Sequence, residues 1–125
     1  MGRLANLYRL LEKVKEAAEI EEKVLEAQRR ILGEEHPDTL LTMGNLALSY
    51  KSLEKVKVAA EMEEKVLEAR SRILGEEHPD TLLTMEVLAS SYRSLGKVKE
   101  AAEMEEKVLK VRSRLPREVR AEQEK

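Results

Sequence analysis

The chain has no cysteine, no phenylalanine and no tryptophan, and only three tyrosines among its 125 residues. Without cysteine, disulfides, thiolate zinc sites and a cysteine nucleophile are excluded, and the redox compartment is left open. Without large aromatics, a core has to come from Leu, Val, Ala, Ile and Met in many small, similar layers, which suits stacked helices. Long apolar runs are missing too. Nothing approaches the roughly 20 residues of a membrane helix, and the short run Leu10-Leu11 is no secretory core. The start, Met1-Gly2-Arg3-Leu4-Ala5-Asn6, lacks the Ser or Thr that a myristoylation signal wants at its sixth position. The expectation is a soluble, cytoplasmic chain with no membrane partner. Charge of one sign is also lacking: 23 basic residues are interspersed with 25 acidic ones, for a net charge of −2. That balance argues against a dedicated nucleic-acid binder, which needs a strong positive field.

What is present is repetition. Leu32-Gly33-Glu34-Glu35-His36-Pro37-Asp38-Thr39-Leu40-Leu41-Thr42-Met43 recurs unchanged as Leu74 to Met85, a step of 42 residues. Tyr8, Tyr50 and Tyr92 keep the same step, as do Leu11, Leu53 and Leu95, the valines Val14, Val56 and Val98, and the alanines Ala17, Ala59 and Ala101. Three units follow: 1–32, lacking its leading corner and with a truncated first helix; 33–74; and 75–115, where the corner is lost at Leu115-Pro116-Arg117. A charged tail, 116–125, completes the chain. A fixed period of this length is the signature of a stacked helical array.

Each unit reads as two helices. In helix A, roughly 38–53, Leu40, Met43, Leu46, Ala47 and Tyr50 recur at three- and four-residue steps, one buried stripe. Helix B, roughly 56–74, repeats the pattern with Ala59, Met62, Val66, Ala69 and Ile73. The turn between them is Ser52-Leu53-Glu54-Lys55, with Gly96 at the equivalent of Glu54 in the last unit. Gly96 suits a left-handed turn residue, so Glu54 and Glu12 are expected to need a different turn. At the corner, Gly33 and Gly75 stop helix B, Pro37 and Pro79 start helix A, and Asp38 and Asp80 place negative charge at its positive end. His36 and His78 fall at the cap. A zinc site needs three or four converging ligands, and these two histidines lie on different corners, so neither a metal nor a cofactor is expected.

Catalysis has little support. The pairs Glu21-Glu22, Glu63-Glu64 and Glu105-Glu106 read as solvated charge on helix B, away from any pocket. No Ser-His-Asp set repeats with useful geometry, and no Gly-rich phosphate loop exists, so the chain reads as a non-enzyme. The arginines of the stretch Val111 to Arg120 alternate with acidic residues further on, which favours a solvated or partly disordered end over a nucleic-acid site.

Taken together, HPDTL, NLA and Tyr in helix A, the Lys-Val-Lys-Glu-Ala entry to helix B and the LGEEHPDTL corner resemble the 42-residue tetratricopeptide repeats of kinesin light chains and of arrays attached to fungal NOD-like receptors. The resemblance covers Arg3 to Leu115. It implies an all-α solenoid of antiparallel A/B hairpins in a right-handed superhelix, with helices A on the concave side. Two departures stand out. Val14, Val56 and Val98 replace the family's aromatic after the turn, and its Asn-Asn-Leu-Ala is eroded in all three units.

The general repeat pattern implies partner-facing positions at Arg3, Asn6 and Arg9 in the first unit, Leu41, Asn45, Leu48 and Lys51 in the second, and Leu83, Val87, Ser90 and Arg93 in the third. The groove-lining asparagines of relatives survive only at Asn45. Leu and Val rimmed by Arg9, Lys51 and Arg93 would suit an amphipathic helix with an acidic edge. Leu41 and Leu83 are equally readable as ordinary helix-core residues. Two functions from different classes remain: a protein-interaction module that receives a helix or extended peptide, and a self-assembly unit, natural or of consensus design. An array this short is expected to self-associate by end-to-end stacking, groove filling or exchange of helices.

Overall fold

The computed structural model describes residues 3–114, the side chain of Arg3 excepted. The charged tail 116–125 lies outside the described residues. Five helices run in order: α1 (Arg3–Ile31), α2 (Pro37–Ser52), α3 (Val56–Leu74), α4 (Pro79–Ser94) and α5 (Val98–Arg114), with no strand among the described residues. The chain divides into two compact units, Met1–Val66 and Leu67–Lys125, with the division falling inside α3.

The corners form as their residues dictate. Gly33 and Gly75 take φ values of 98° and 97°, the left-handed region in which a β-carbon is strained. Pro37 and Pro79 open α2 and α4. His36 and His78 are the N-caps. Each sits in extended backbone and accepts, through its own Nδ1, the amide hydrogen of Asp38 or Asp80 at 3.1 and 3.0 Å. The ring nitrogen thereby satisfies one of the four amides that a helix start leaves unpaired.

Between α2 and α3, and between α4 and α5, one turn is used twice. Lys55 N–H donates to Tyr50 O at 2.8 Å and Lys97 N–H to Tyr92 O at 2.8 Å, closing the six-residue ring that ends many helices. The expectation that Glu54 needs a different turn is therefore corrected: Glu54 adopts φ 64° where Gly96 adopts 83°. A side chain there costs about 1 kcal/mol. Burying Leu40, Met43 and Leu46 of α2 returns roughly 2 kcal/mol each, which decides the matter. Lys55 and Lys97 then cover the rings of Tyr50 and Tyr92, at 5.7 and 5.3 Å from the ring centroids.

The first repeat departs from the expected pair of helices. No turn forms at Leu10-Leu11-Glu12-Lys13, and α1 continues as one helix of 29 residues, about 43 Å long against about 24 Å for α2. Leu10 stands where the other repeats have Ser52 and Ser94, and leucine is among the better helix formers whereas serine competes for the backbone. Glu12 stays helical and avoids the cost that Glu54 bears.

In the first unit α1 packs on α2, burying Ala18 and Leu25. Ser49 Oγ donates to Glu21 at 2.8 Å, and the Tyr50 hydroxyl donates to Glu22. Burial, and then the hydrogen bond to Glu22, push the Tyr50 phenol up to about 12. In the second unit α4 packs on α5 around Leu82, Met85 and Val108, with Leu67 and Val111 at the margin. Arg70 Nη1 donates to Thr84 Oγ1 at 2.8 Å, and that hydroxyl donates on to Asp80 O at 2.7 Å.

Candidate functional site

The outward faces of α2 and α4 carry most of the residues singled out from the sequence, and the structure separates them by role. Leu40 and Leu82 take the buried positions, which leaves Leu41 and Leu83 outside the core at 56% and 55% exposure. The reading of this pair as helix-core residues is thereby corrected. Along α2, Leu41, Asn45 and Leu48 follow at steps of four and three residues, all exposed, and so form one face. On α4, Leu83 and Ser90 are exposed and Val87 is half-buried. Each face offers aliphatic surface, with one amide on α2 and one hydroxyl on α4.

The basic rim does not form as expected. Lys51 Nζ lies 2.8 Å from a carboxylate oxygen of Glu63, which is buried at 2% exposure. Arg93 pairs with Glu105 in the same way one repeat later, and Arg112 pairs with Glu86. The reading of Glu63 as solvated charge is corrected, and Glu21 and Glu105 are half-buried as well. Lysine and arginine at this place in helix A reach the glutamate 12 positions on because the hairpin turn brings helix B back beside them. That spacing recurs in the sequence and was the available signal for the pairs. Their charge is neutralised within the repeat, so little is left to attract an acidic ligand edge.

The first-repeat candidates are placed differently. Arg3, Asn6 and Arg9 lie on the N-terminal part of α1, where Asn6 and Arg9 are exposed. In one continuous helix Arg9 and Glu21 are about 18 Å apart along the axis, so the ion pair of the other repeats cannot form. A cleft that the sequence did not reveal opens instead beside the turn of the next repeat. It measures about 500 Å³ and is lined by Tyr8, Leu11, Glu12 and Lys15 of α1 and by Ser52, Leu53 and Glu54. It depends on α1 failing to turn. Among the described residues no three His, Asp or Glu side chains gather as a metal site, and no helix is long and apolar enough to cross a membrane.

Repeated A/B hairpins capped by the Gly-to-Pro corner are the geometry of one family, and its profile, the tetratricopeptide repeat, matches residues 1–72 and 64–114. The chain belongs to the tetratricopeptide repeat family. The repeats are of the kinesin-light-chain kind. The crystal structure of nearly identical tetratricopeptide-like repeats from Podosopora anserina, described as kinesin light chain, is 31% identical and superposes with a TM-score of 0.77 over 94% of this chain and 60% of that one. A sequence variant of the same Podosopora anserina repeats is 32% identical, with a TM-score of 0.78 over 92% and 57%. BtubC (BKLC) from P. vanneervenii is 29% identical, with a TM-score of 0.77 over 91% and 45%. The chain thus spans about half of the length of these relatives. No curated protein matches it significantly. Tetratricopeptide repeats generally mediate contacts between proteins.

Proposed function

We propose that the chain is a non-catalytic protein-binding scaffold that takes an amphipathic helix or an extended peptide on the outward faces of its A helices, and that it also binds a second copy of itself. The observation that carries the first part is the exposure of Leu41 and Leu83 in equivalent positions, with Leu48 added on α2. Aliphatic side chains at helical spacing on an accessible face are what the apolar stripe of a partner helix requires. Because Lys51 and Arg93 are held by Glu63 and Glu105, selectivity rests on the fit of apolar surface rather than on acidic residues in the ligand.

Anisotropy titrations with fluorescein-labelled peptides test this reading: a Leu-rich amphipathic helix, the same helix with an added acidic edge, and a scrambled control. Both amphipathic helices should bind with similar affinity, and Leu41→Glu with Leu83→Glu should abolish binding while circular dichroism still reports folded helix. Binding that survives this double change places the contact elsewhere. A second reading, that the assembly is itself the function, is favoured by the exposed apolar surface of α1.

A further inference from the structure

Because the first hairpin stays open, α1 exposes the face that the other B helices cover. Ala59 and Ala101 are fully buried and Val66 and Val108 are 2% exposed, whereas their counterparts Ala17 and Val24 are exposed, Val24 at 42%. On α1 this face is continuous. Leu10, Lys13, Ala17, Ile20, Val24, Ala27 and Ile31 follow at alternating three- and four-residue steps, the spacing of a two-stranded coiled-coil seam. Ile20 and Ile31 are 63% and 73% exposed, and Leu10 is 58% exposed.

We propose that a second copy of this chain covers this stripe with its own α1, antiparallel, in the place that helix A takes in the closed repeats. The proposal rests on self-association as read above and specifies its surface and geometry. Charge and size together choose the direction. A parallel pair sets Lys13 against Lys13 within the seam and Glu16 beside Glu21 of the other copy, like against like in both places. In the antiparallel pair with Ala17 opposite Ile20, Glu16 stands beside Lys23 of the other copy, twice by the twofold axis. Arg9 then stands beside Arg30 towards the ends of the seam, so the flanking charges balance and the preference comes from removing the Lys13 pair and from the fit of side-chain sizes. The same register sets large against small along the seam, Leu10 opposite Ala27 and Ile20 opposite Ala17, so that the layers interdigitate. Lys13 lies opposite Val24, with its stem along apolar surface and its ammonium in water.

Sedimentation velocity on the full chain tests the pairing. The unaltered protein forms dimers at micromolar concentration. Glu16→Lys and Lys23→Glu each weaken the dimer by about tenfold or more, since either one creates two like-charge contacts. Mixing the two variants restores dimers, because both cross-contacts then become opposite in sign; a hairpin closing within one chain cannot produce that rescue. Leu10→Ser with Glu12→Gly, which restores the turn sequence of the third repeat, shifts the chain to monomer as its own helix A closes over the stripe. A dimer that resists both charge reversals, that shows no rescue on mixing, or that dissociates only on Leu41→Glu with Leu83→Glu, overturns the α1 pairing and leaves self-association standing. A monomer at high micromolar concentration overturns both.

Discussion

The first repeat and the matching stretch of the third share 19 of 32 residues and end in different structures. In the third, α4 turns back at Gly96 and Leu88 is 1% exposed; in the first, the same position is Leu4, 64% exposed on a helix that never turned. Leu4 and Leu88 are chemically identical and occupy equivalent places in the period, so apolar periodicity alone does not bury a side chain. What separates them is the connection. Ser94-Leu95-Gly96 allows a left-handed residue without strain, whereas Leu10-Leu11-Glu12 favours one more turn of helix. The second repeat lies between the two, holding Glu54 in the strained conformation because α2 buries enough apolar surface to enforce it.

The sharpest way to break this comparison is to truncate the equivalent leucines. Leu88→Ala should lower stability by about 2 to 5 kcal/mol, the range for a buried leucine left as a cavity, and Leu46→Ala should behave alike, since Leu46 is 2% exposed. Leu4→Ala should fall within about 0.5 kcal/mol of the parent. Urea denaturation of the three variants, measured where the protein is monomeric, reads the contrast directly. A loss at Leu4 equal to that at Leu88 would mean that the first hairpin is closed.

Exchanging the turn residue is a smaller lever. Glu54→Gly should raise stability by about 1 kcal/mol and Gly96→Glu should lower it by a similar amount, whereas Glu12→Gly should weaken α1 by about 1 kcal/mol of helix propensity unless the hairpin closes. Thermal melts followed by circular dichroism order the three. A neutral Gly96→Glu would show that the turn carries no conformational strain.

The smallest effect distinguishes the packed part of α1 from its bare part through Tyr50. Its folded-state pKa, raised from 10.0 to about 12, means that the folded protein holds the phenolic proton more tightly than the unfolded chain. The associated stability is complete below pH 10 and is lost as the pH rises towards about 12. An absorbance titration of the tyrosines should show one late phase that disappears in Tyr50→Phe. Glu22→Gln should lower that phase only part of the way, because burial is the larger cause. Complete loss of the delay in Glu22→Gln would assign the shift to the contact with α1 alone.

Much of the fold was legible because its signals are local. Gly33, His36, Pro37 and Asp38 specify a stop and a start from their own backbone and hydrogen-bonding chemistry, and the structure uses each as expected. The features that were not legible depend on balance or on tertiary partners. Whether residue 12 turns depends on weighing roughly 1 kcal/mol of backbone strain against the burial that closing the hairpin returns. Glu63 beside Glu64 looks like surface charge until the turn brings Lys51 over it. On the A-helix faces, three- and four-residue spacing assigned Leu40 to the buried stripe, whereas Leu41 could be read as core or as surface until packing showed that it and Leu83 are left exposed.

The central claim is that the first repeat stays open as one helix, and a single distance tests it most directly. Since the chain lacks cysteine, nitroxide labels can be placed cleanly at Asn6→Cys and Arg30→Cys, with labelled chain diluted into unlabelled chain so that only distances within one copy are read. A continuous α1 predicts a spin–spin distance near 36 Å, about 1.5 Å for each of the intervening residues. A distance of about 20 Å, as expected for antiparallel helices packed 8–10 Å apart with a turn near residue 12 that leaves the two sites about 18 Å apart along the axis, would show a closed hairpin and contradict the account.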